Sequence, residues 1–311
     1  MRFSDLPEVS EAKALISTKD LSKLSSQQSK SRYLRITLLW LVKGTVLFFI
    51  APRVSAFFWP ILCLVSIAIV EGFRNWSHES LHQSIFCRKK FPNLILTNLF
   101  LSLPIITPFN TRQSIHLSHH RQLSQDSDEE RFAWKWADGS KTRGKLIIEL
   151  IASLTSLRFF QTALAARKSK RSVSGQQWKE LLIIVAYFFC ITMSLIFADL
   201  FLEYTILWIL PQIVISPFIN RVRSFAEHGG DKVVISRTTI PRWLERLFMY
   251  QVHFGYHFEH HVWPGLPENS LPTAHKILEK DGFWDRHPHL VQQSGLYSVF
   301  RRFSSVKILE H

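Results

Sequence analysis

Histidines occur in this 311-residue sequence at a density and spacing that favour metal chemistry. Of the 14 histidines, eight lie in three short clusters, one with the pattern HxxxH and two with the pattern HxxHH. On a helix, positions i, i+3 and i+4 share one face, so we expect the imidazoles of each cluster to converge on one point. Such convergence is typical of a metal site. The clusters are His78-Glu79-Ser80-Leu81-His82, His116-Leu117-Ser118-His119-His120 and His257-Phe258-Glu259-His260-His261.

A ninth histidine, His228, follows the last long apolar block closely enough to reach the same site. Nine imidazoles exceed the needs of one ion, because catalytic zinc takes about three protein ligands and a water. Two six-coordinate ions could use all nine and keep a bridging or open position. Imidazole binds Fe, Zn, Cu and Ni, so the ligand type predicts a di-metal site without selecting the metal.

The remaining histidines are not expected to bind metal. His253 lies one helical turn before His257, so we expect it to support the site by a hydrogen bond rather than to bind metal. Isolated histidines are more often surface or core residues than ligands. Four are therefore expected to be uninvolved: His275, His287, His289 and His311.

The first cluster taken alone allows another interpretation. It matches HExxH, in which two helical histidines bind zinc and the glutamate is the general base of a metalloprotease. A membrane zinc protease using His78, Glu79 and His82 is therefore an alternative. It would leave both HxxHH clusters without a role.

The segments that must position these clusters are apolar enough to cross a membrane. A span needs about 20 mainly apolar residues, and the mean hydropathy of +0.05 implies large soluble parts as well. Lys43 lies inside the first apolar block, where an unpaired charge costs roughly 2.5–3.5 kcal/mol. We predict an all-α integral membrane protein in which four transmembrane helices carry a cytosolic helical cap with the histidine-ligated di-metal site. The spans are expected near residues 35–51, 56–73, 181–198 and 200–219.

Charge predicts the orientation of the chain. The formal net charge is +14, from 38 Lys and Arg against 24 Asp and Glu, and with spans present we expect a bilayer surface and not nucleic acid as the partner. Basic clusters such as Arg88-Lys89-Lys90 flank the histidines, whereas the short loops between paired spans carry almost none. The positive-inside bias then places both termini and the active site in the cytoplasm. Three cysteines indicate no disulfide framework, and we expect no cleaved signal peptide.

The intervening segments complete the predicted organisation. Residues 91–106 are apolar but short and broken by Pro92 and Pro104, which favours a re-entrant or interfacial segment. Residues 145–166 show the period of an interfacial amphipathic helix. We expect a polar N-terminal tail over residues 1–32, a catalytic domain over 33–270 and a cytosolic C-terminal tail over 271–311.

In the order and spacing of its three clusters the chain resembles the membrane fatty acid desaturase and hydroxylase superfamily. That superfamily carries HxxxH, HxxHH and HxxHH boxes, with a pair of spans between the second and third. The stretch Val262-Trp263-Pro264-Gly265-Leu266-Pro267 also looks like the sequence that follows the family's third box. The likeness covers roughly residues 35–275.

The resemblance implies two non-haem iron ions bound by the eight box histidines and by one more before the third box, which His228 would match. It implies O2 as co-substrate and an external electron donor, either ferredoxin or cytochrome b5 with its reductase. No His-Pro-Gly-Gly haem motif occurs in the sequence, so we expect no fused cytochrome b5 domain. Acidic residues that could orient the imidazoles are Glu79, Glu227, Glu259, Asp126 and Asp128.

We therefore predict an O2-dependent di-iron desaturase that introduces a double bond into a long acyl chain carried by a lipid, CoA or a carrier protein. A lipid or carotenoid hydroxylase or ketolase on the same scaffold is the nearest alternative. A membrane protein that binds metal or lipid without catalysis, and the zinc protease, are the alternatives from other classes.

Overall fold

A computed structural model describes residues 3–27, 29–107, 109–123, 125–131, 147–148, 151–152, 175–229 and 236–305. This part of the chain is built almost wholly from helices. The α-helices are α1 (Pro7–Leu15), α2 (Thr18–Ser25), α3 (Lys30–Ile50), α4 (Trp59–His82), α5 (Lys90–Thr97), α6 (Phe109–Gln122), α7 (Gly175–Phe197), α8 (Phe201–Tyr204), α9 (Ser216–His228), α10 (Trp243–Phe248), α11 (His257–Val262), α12 (Leu271–Lys280), α13 (Phe283–Arg286) and α14 (Gly295–Ser305).

Shorter elements join these helices. Two-residue strands β1 (Thr238–Thr239) and β2 (Val291–Gln292) pair in parallel, with Thr238 opposite Val291. The 3-10 turns are Phe3–Asp5, Ala51–Arg53, Ala56–Phe58, Leu103–Ile105 and Pro288–Leu290, and the π-helical stretches are Asn98–Ser102, Thr205–Ile209 and Pro211–Ile215.

Three helical stretches are long and apolar enough to cross a membrane: Lys30–Arg53, Ala56–His82 and Phe201–His228. They coincide with the first, second and fourth predicted spans. The third predicted span falls on α7, whose described apolar part, Leu182–Phe197, is shorter than a full span. Many outward apolar side chains of these helices are exposed, as lipid-facing residues would be.

The charge inside the first span has a local partner. The Lys43 ammonium lies 4.2 Å from the centroid of the Trp40 ring, a cation–π contact that offsets part of the cost of the charge. The same Trp40 ring packs against Gly72 of α4, where even a Cβ atom would collide with it. α3 and α4 therefore approach as closely as a glycine allows.

Two of the long helices extend beyond their apolar parts and end in histidines. α4 continues without a break to His82, and α9 ends at His228. The first cluster therefore lies just past an apolar block on a continuous helix. Rigid helices thus carry these imidazoles to the end of the bundle.

The second cluster is held by a sharply bent pair of helices. The segments Lys90–Ile105 and Phe109–Gln122 meet at 85°, the geometry of a broken span or a re-entrant loop. Ile106, at the end of the first segment, has the left-handed φ of 56°. The re-entrant assignment of residues 91–106 stays a prediction. The interfacial helix predicted for residues 145–166 lies largely outside the described residues.

The N-terminal segment, predicted as a polar tail, differs from that expectation. It forms α1 and α2 and buries a stripe of side chains against the third histidine cluster and the C-terminal helices. Polar contacts add to this packing, since Glu11 accepts hydrogen bonds from Arg286 and His287 at 2.8 Å each. The buried stripe consists of Phe3, Leu6, Val9, Ala12, Ile16 and Leu24.

The helix of the third cluster begins only at His257. Val252 and His253 have left-handed φ values of 56° and 59°, and a turn follows them. The prediction that His253 lies on the same helical face as His257 is therefore wrong, because the backbone reverses between the two residues.

Candidate metal centre

All nine predicted histidines meet at one end of the bundle. α4 supplies His78 and His82, and α9 supplies His228. α6 carries the second cluster and α11 the third. Most of these side chains are buried, the most exposed being half-buried.

The first group contains five imidazoles. The coordinating nitrogens of His78, His82, His116 and His260 all lie within 4.8 Å of one another. The Nε2 atom of His116 is 2.9 Å from Nε2 of His82 and 3.0 Å from Nε2 of His120. This spacing is suited to several nitrogens facing one ion.

The second group contains the other four imidazoles. The ring nitrogens of His119, His228 and His261 lie within 4.8 Å of one another. Nε2 of His257 is 3.0 Å from Nε2 of His228 and 3.2 Å from Nε2 of His261. Glu227 adds a carboxylate, 3.7 Å from Nε2 of His257, that could serve as a further ligand.

The predicted convergence of each cluster on one point is wrong for both HxxHH clusters. In the second cluster His116 and His120 face the first group while His119 faces the second group. In the third cluster His260 faces the first group, and His257 and His261 face the second. Successive helical residues point about 100° apart, so the adjacent histidines of each HH pair reach opposite sides.

The donor set fits two metal ions. Burial lowers the pKa values of His257, His260 and His261 well below their ordinary range, so each ring is neutral with a lone pair available. The buried Nε2 atoms of His78 and His260 have no hydrogen-bond partner. Buried polar atoms are normally satisfied, and a bound cation would satisfy these.

Carboxylates bind the far sides of two second-cluster rings. Nδ1 of His116 is 3.1 Å from Glu130, and Nδ1 of His119 is 2.9 Å from Asp128. Such contacts fix the tautomer and leave Nε2 for the metal. Burial alone would raise the pKa of Glu130, but His119 and His116 hold it well below its ordinary value. Asp128 was among the predicted acceptors, and Glu130 was not.

Three other predicted acceptors have different partners. Asp126 is exposed and pairs with Arg131. The Glu79 carboxylate accepts hydrogen bonds from the Tyr33 hydroxyl at 3.0 Å and from the backbone N–H of Glu268 at 3.4 Å. It therefore ties α3 and the loop after the third cluster to the first cluster. Glu259 pairs with His275 and Thr238.

His275, predicted to be uninvolved, is part of the support of the third cluster. Its Nδ1 atom lies 2.5 Å from the fully buried Glu259 carboxylate, which also accepts a hydrogen bond from Thr238. These contacts join α12 and β1 to α11. The sequence gave no sign of this role, because His275 stands alone and its partner Glu259 lies 16 residues away on another helix.

The helices of membrane-crossing length and the two imidazole groups define a membrane protein with a histidine-rich site for metal ions. The family model for fatty acid desaturases matches residues 53–294. The chain belongs to the fatty acid desaturase family, so the resemblance stated above is confirmed. The family supports an oxidoreductase with a function of the desaturase or hydroxylase type. Comparison with curated proteins gives no match.

Proposed function

We propose that the chain is an O2-dependent di-iron enzyme that introduces a double bond into a long acyl chain. The observation that carries the proposal is the division of nine imidazoles into two adjacent groups of five and four at the end of membrane-length helices. A zinc protease would use His78 and His82 as ligands, Glu79 as the base and about one further ligand, so most of the nine imidazoles would have no role.

Iron fits this donor set because imidazole is a ligand that it accepts. When bound, the iron pair supplies the activation of O2 that an unreactive C–H bond requires. His78, His82, His116, His120 and His260 would hold one ion. His119, His228, His257 and His261 would hold the other.

The residues behind the ligands keep the site ordered. Asp128 and Glu130 hold the protons on Nδ1 of His119 and His116, so that Nε2 stays free to bind metal. Glu259 is hydrogen-bonded to His275 and Thr238, and these contacts hold α11 in place. Phe254 packs edge-to-face against the His78 ring at 4.9 Å and stacks on the His257 ring at 5.8 Å, so one apolar ring borders both groups.

The overall reaction requires an electron donor. Reduction of O2 to two water molecules takes four electrons, of which the new double bond provides two. The other two must come from a separate protein, either ferredoxin or cytochrome b5 with its reductase. The exposed Arg88-Lys89-Lys90 cluster supports an acidic donor at this surface and a cytoplasmic position for the active site and termini.

Lipid profiling of cells that express the chain tests the proposal. We expect new unsaturated acyl chains with the wild type and none with the His120→Ala variant. His289→Ala, a change at a half-exposed histidine beside Glu8, is the matched control and should keep the product. A new hydroxyl or keto group in place of a double bond would establish the hydroxylase or ketolase alternative, and unchanged product in His120→Ala would contradict the metal assignment.

A further inference from the structure

A cavity of about 230 Å³ lies against both imidazole groups. Five of the metal-facing histidines line it, together with Leu81, Ile115 and Phe254. Three arginines, Arg74, Arg112 and Arg223, share this wall. Two glutamates, Glu130 and Glu227, share the wall as well, so the three arginines leave an excess of positive charge beside a centre that would itself be cationic.

The sequence places two of these arginines on the histidine side of their helices. Arg74 stands four residues before His78, and Arg112 stands four residues before His116. A spacing of four on a helix puts both side chains on one face. The guanidinium groups therefore enter the cavity beside the first histidine of each cluster.

The hydrogen bonds of these two arginines leave most of their donors unused. Arg112 donates to the Ser77 hydroxyl at 2.7 Å, and Arg74 donates to the Ile105 carbonyl at 3.5 Å. Among the described residues, no carboxylate lies within 4.0 Å of either guanidinium. A guanidinium presents five N–H donors, so each has several left for a ligand.

The carboxylates near the cavity are already engaged. Glu130 binds Nδ1 of His116, and Glu227 lies 3.6 Å from Nε of Arg223. Glu71, one turn from Arg74 on the same helix, accepts a hydrogen bond from Ser216. Arg223 is further occupied by Asn75, by Asn220 and by the Phe254 ring. Of the three arginines in this wall, Arg74 and Arg112 thus form no direct ion pair with a described residue, and Glu71 and Glu130 interact with them only over a longer distance.

Two partly buried cations without a direct ion pair are costly, and at the end of membrane helices such charges usually serve a ligand path. We propose that Arg74 and Arg112 bind the oxyanion of an amphiphilic substrate, a carboxylate or a phosphate, inside this cavity. Guanidinium groups bind both anions through paired hydrogen bonds. The apolar side chains of Leu81, Ile115 and Phe254 provide contacts for the first carbons next to the anion.

This site limits where the substrate can be attacked. The anion and the metal-facing histidines share one cavity, so the oxidised carbon lies near the acidic end of the substrate and not in the middle of a long chain. The conclusion on the position of attack rests on the proposed function. The binding of the anion does not.

Binding to the purified, iron-loaded protein tests the proposal without any substitution. Octanoate, its methyl ester, octyl phosphate and inorganic phosphate are titrated in parallel by calorimetry. We expect octanoate or octyl phosphate to bind at least tenfold more tightly than the ester, since hydrogen bonds to a charged group are lost with the ester. Whichever amphiphile binds better identifies the anion as carboxylate or phosphate. Equal binding of acid and ester, or binding of inorganic phosphate as tight as that of either amphiphile, would overturn the assignment to a substrate.

Substitutions then locate the site. Arg74→Gln and Arg112→Gln should each weaken binding of the preferred amphiphile roughly tenfold or more and leave the iron content unchanged, since neither residue is a ligand. Arg88→Gln, at an exposed arginine outside the cavity, is the control and should bind as the wild type. Wild-type binding in both cavity variants, or loss of binding that tracks loss of iron, contradicts the proposal. If the wild-type protein takes up no iron but still binds the anion, the proposed function fails and the anion site stands.

Discussion

The carboxylates behind the second cluster decide how firmly its imidazoles are held. Glu130 and Asp128 each contact an Nδ1 atom, and they follow His120 in a polar stretch with several acidic residues. The histidine boxes could be predicted from spacing alone, because a period of 3.6 residues limits which side chains share a face. Which acidic residue reaches which ring depends on a loop conformation that spacing does not determine.

Replacement of Glu130 tests this support. Glu130→Ala should lower metal affinity roughly 10–100-fold, because the His116 ring loses the partner that sets its tautomer and orientation. Chelator competition on the purified protein measures the effect. Asp126→Ala removes an exposed carboxylate four residues away that contacts only Arg131 among the described side chains. We expect the control to bind metal as the wild type does, and equal affinity in the two variants would refute the role of Glu130.

At the scale of elements, close helix packing sets the positions of the first cluster and the N-terminal segment supports the third. The spans could be predicted from their apolar blocks. The N-terminal helices could not, since Phe3, Leu6, Val9 and Ala12 recur every three residues in a polar context, which gives a narrow stripe. That stripe is buried only because the third cluster and α12 offer an apolar surface.

A substitution at Gly72 tests how closely α3 packs against α4. Gly72→Ala places a methyl group against the Trp40 ring and the Gln251 amide, and overpacking of this kind costs about 1–3 kcal/mol. We expect the Gly72→Ala variant to have a lower melting temperature in detergent. Tryptophan fluorescence measures the unfolding. Gly265→Ala, where a Cβ meets open space, is the matched control. A melting temperature equal to that of Gly265→Ala would show that the helices do not pack this closely.

A substitution at Phe3 tests whether this side chain holds the N-terminal segment against the third cluster. Its ring lies 5.7 Å from the His261 ring and 6.2 Å from the Phe258 ring. Phe3→Ala removes about 3–5 kcal/mol of packing, so amide hydrogen exchange in α1 should accelerate. Lys13→Ala, at an exposed position of α1, is the control and should leave amide exchange in α1 unchanged. Slow exchange in both variants would mean that Phe3 does not hold the segment in place.

At the scale of the whole molecule, the fold brings together histidines that are up to 183 residues apart in the sequence. Continuous helices fix His82 and His228, a bent helix pair fixes the second cluster, and the N- and C-terminal helices enclose the third. A two-ion site could be predicted from the count of imidazoles. Its division into groups of five and four could not, because it depends on how α6 and α11 face each other.

The iron content of the purified protein tests the central proposal most directly. Because the nine imidazoles form two groups, we expect about two iron ions per chain in the wild type and a marked loss in His120→Ala. Elemental analysis provides the measurement, and zinc is quantified in the same samples. A wild-type protein with about one zinc ion per chain and no iron would contradict the di-iron assignment.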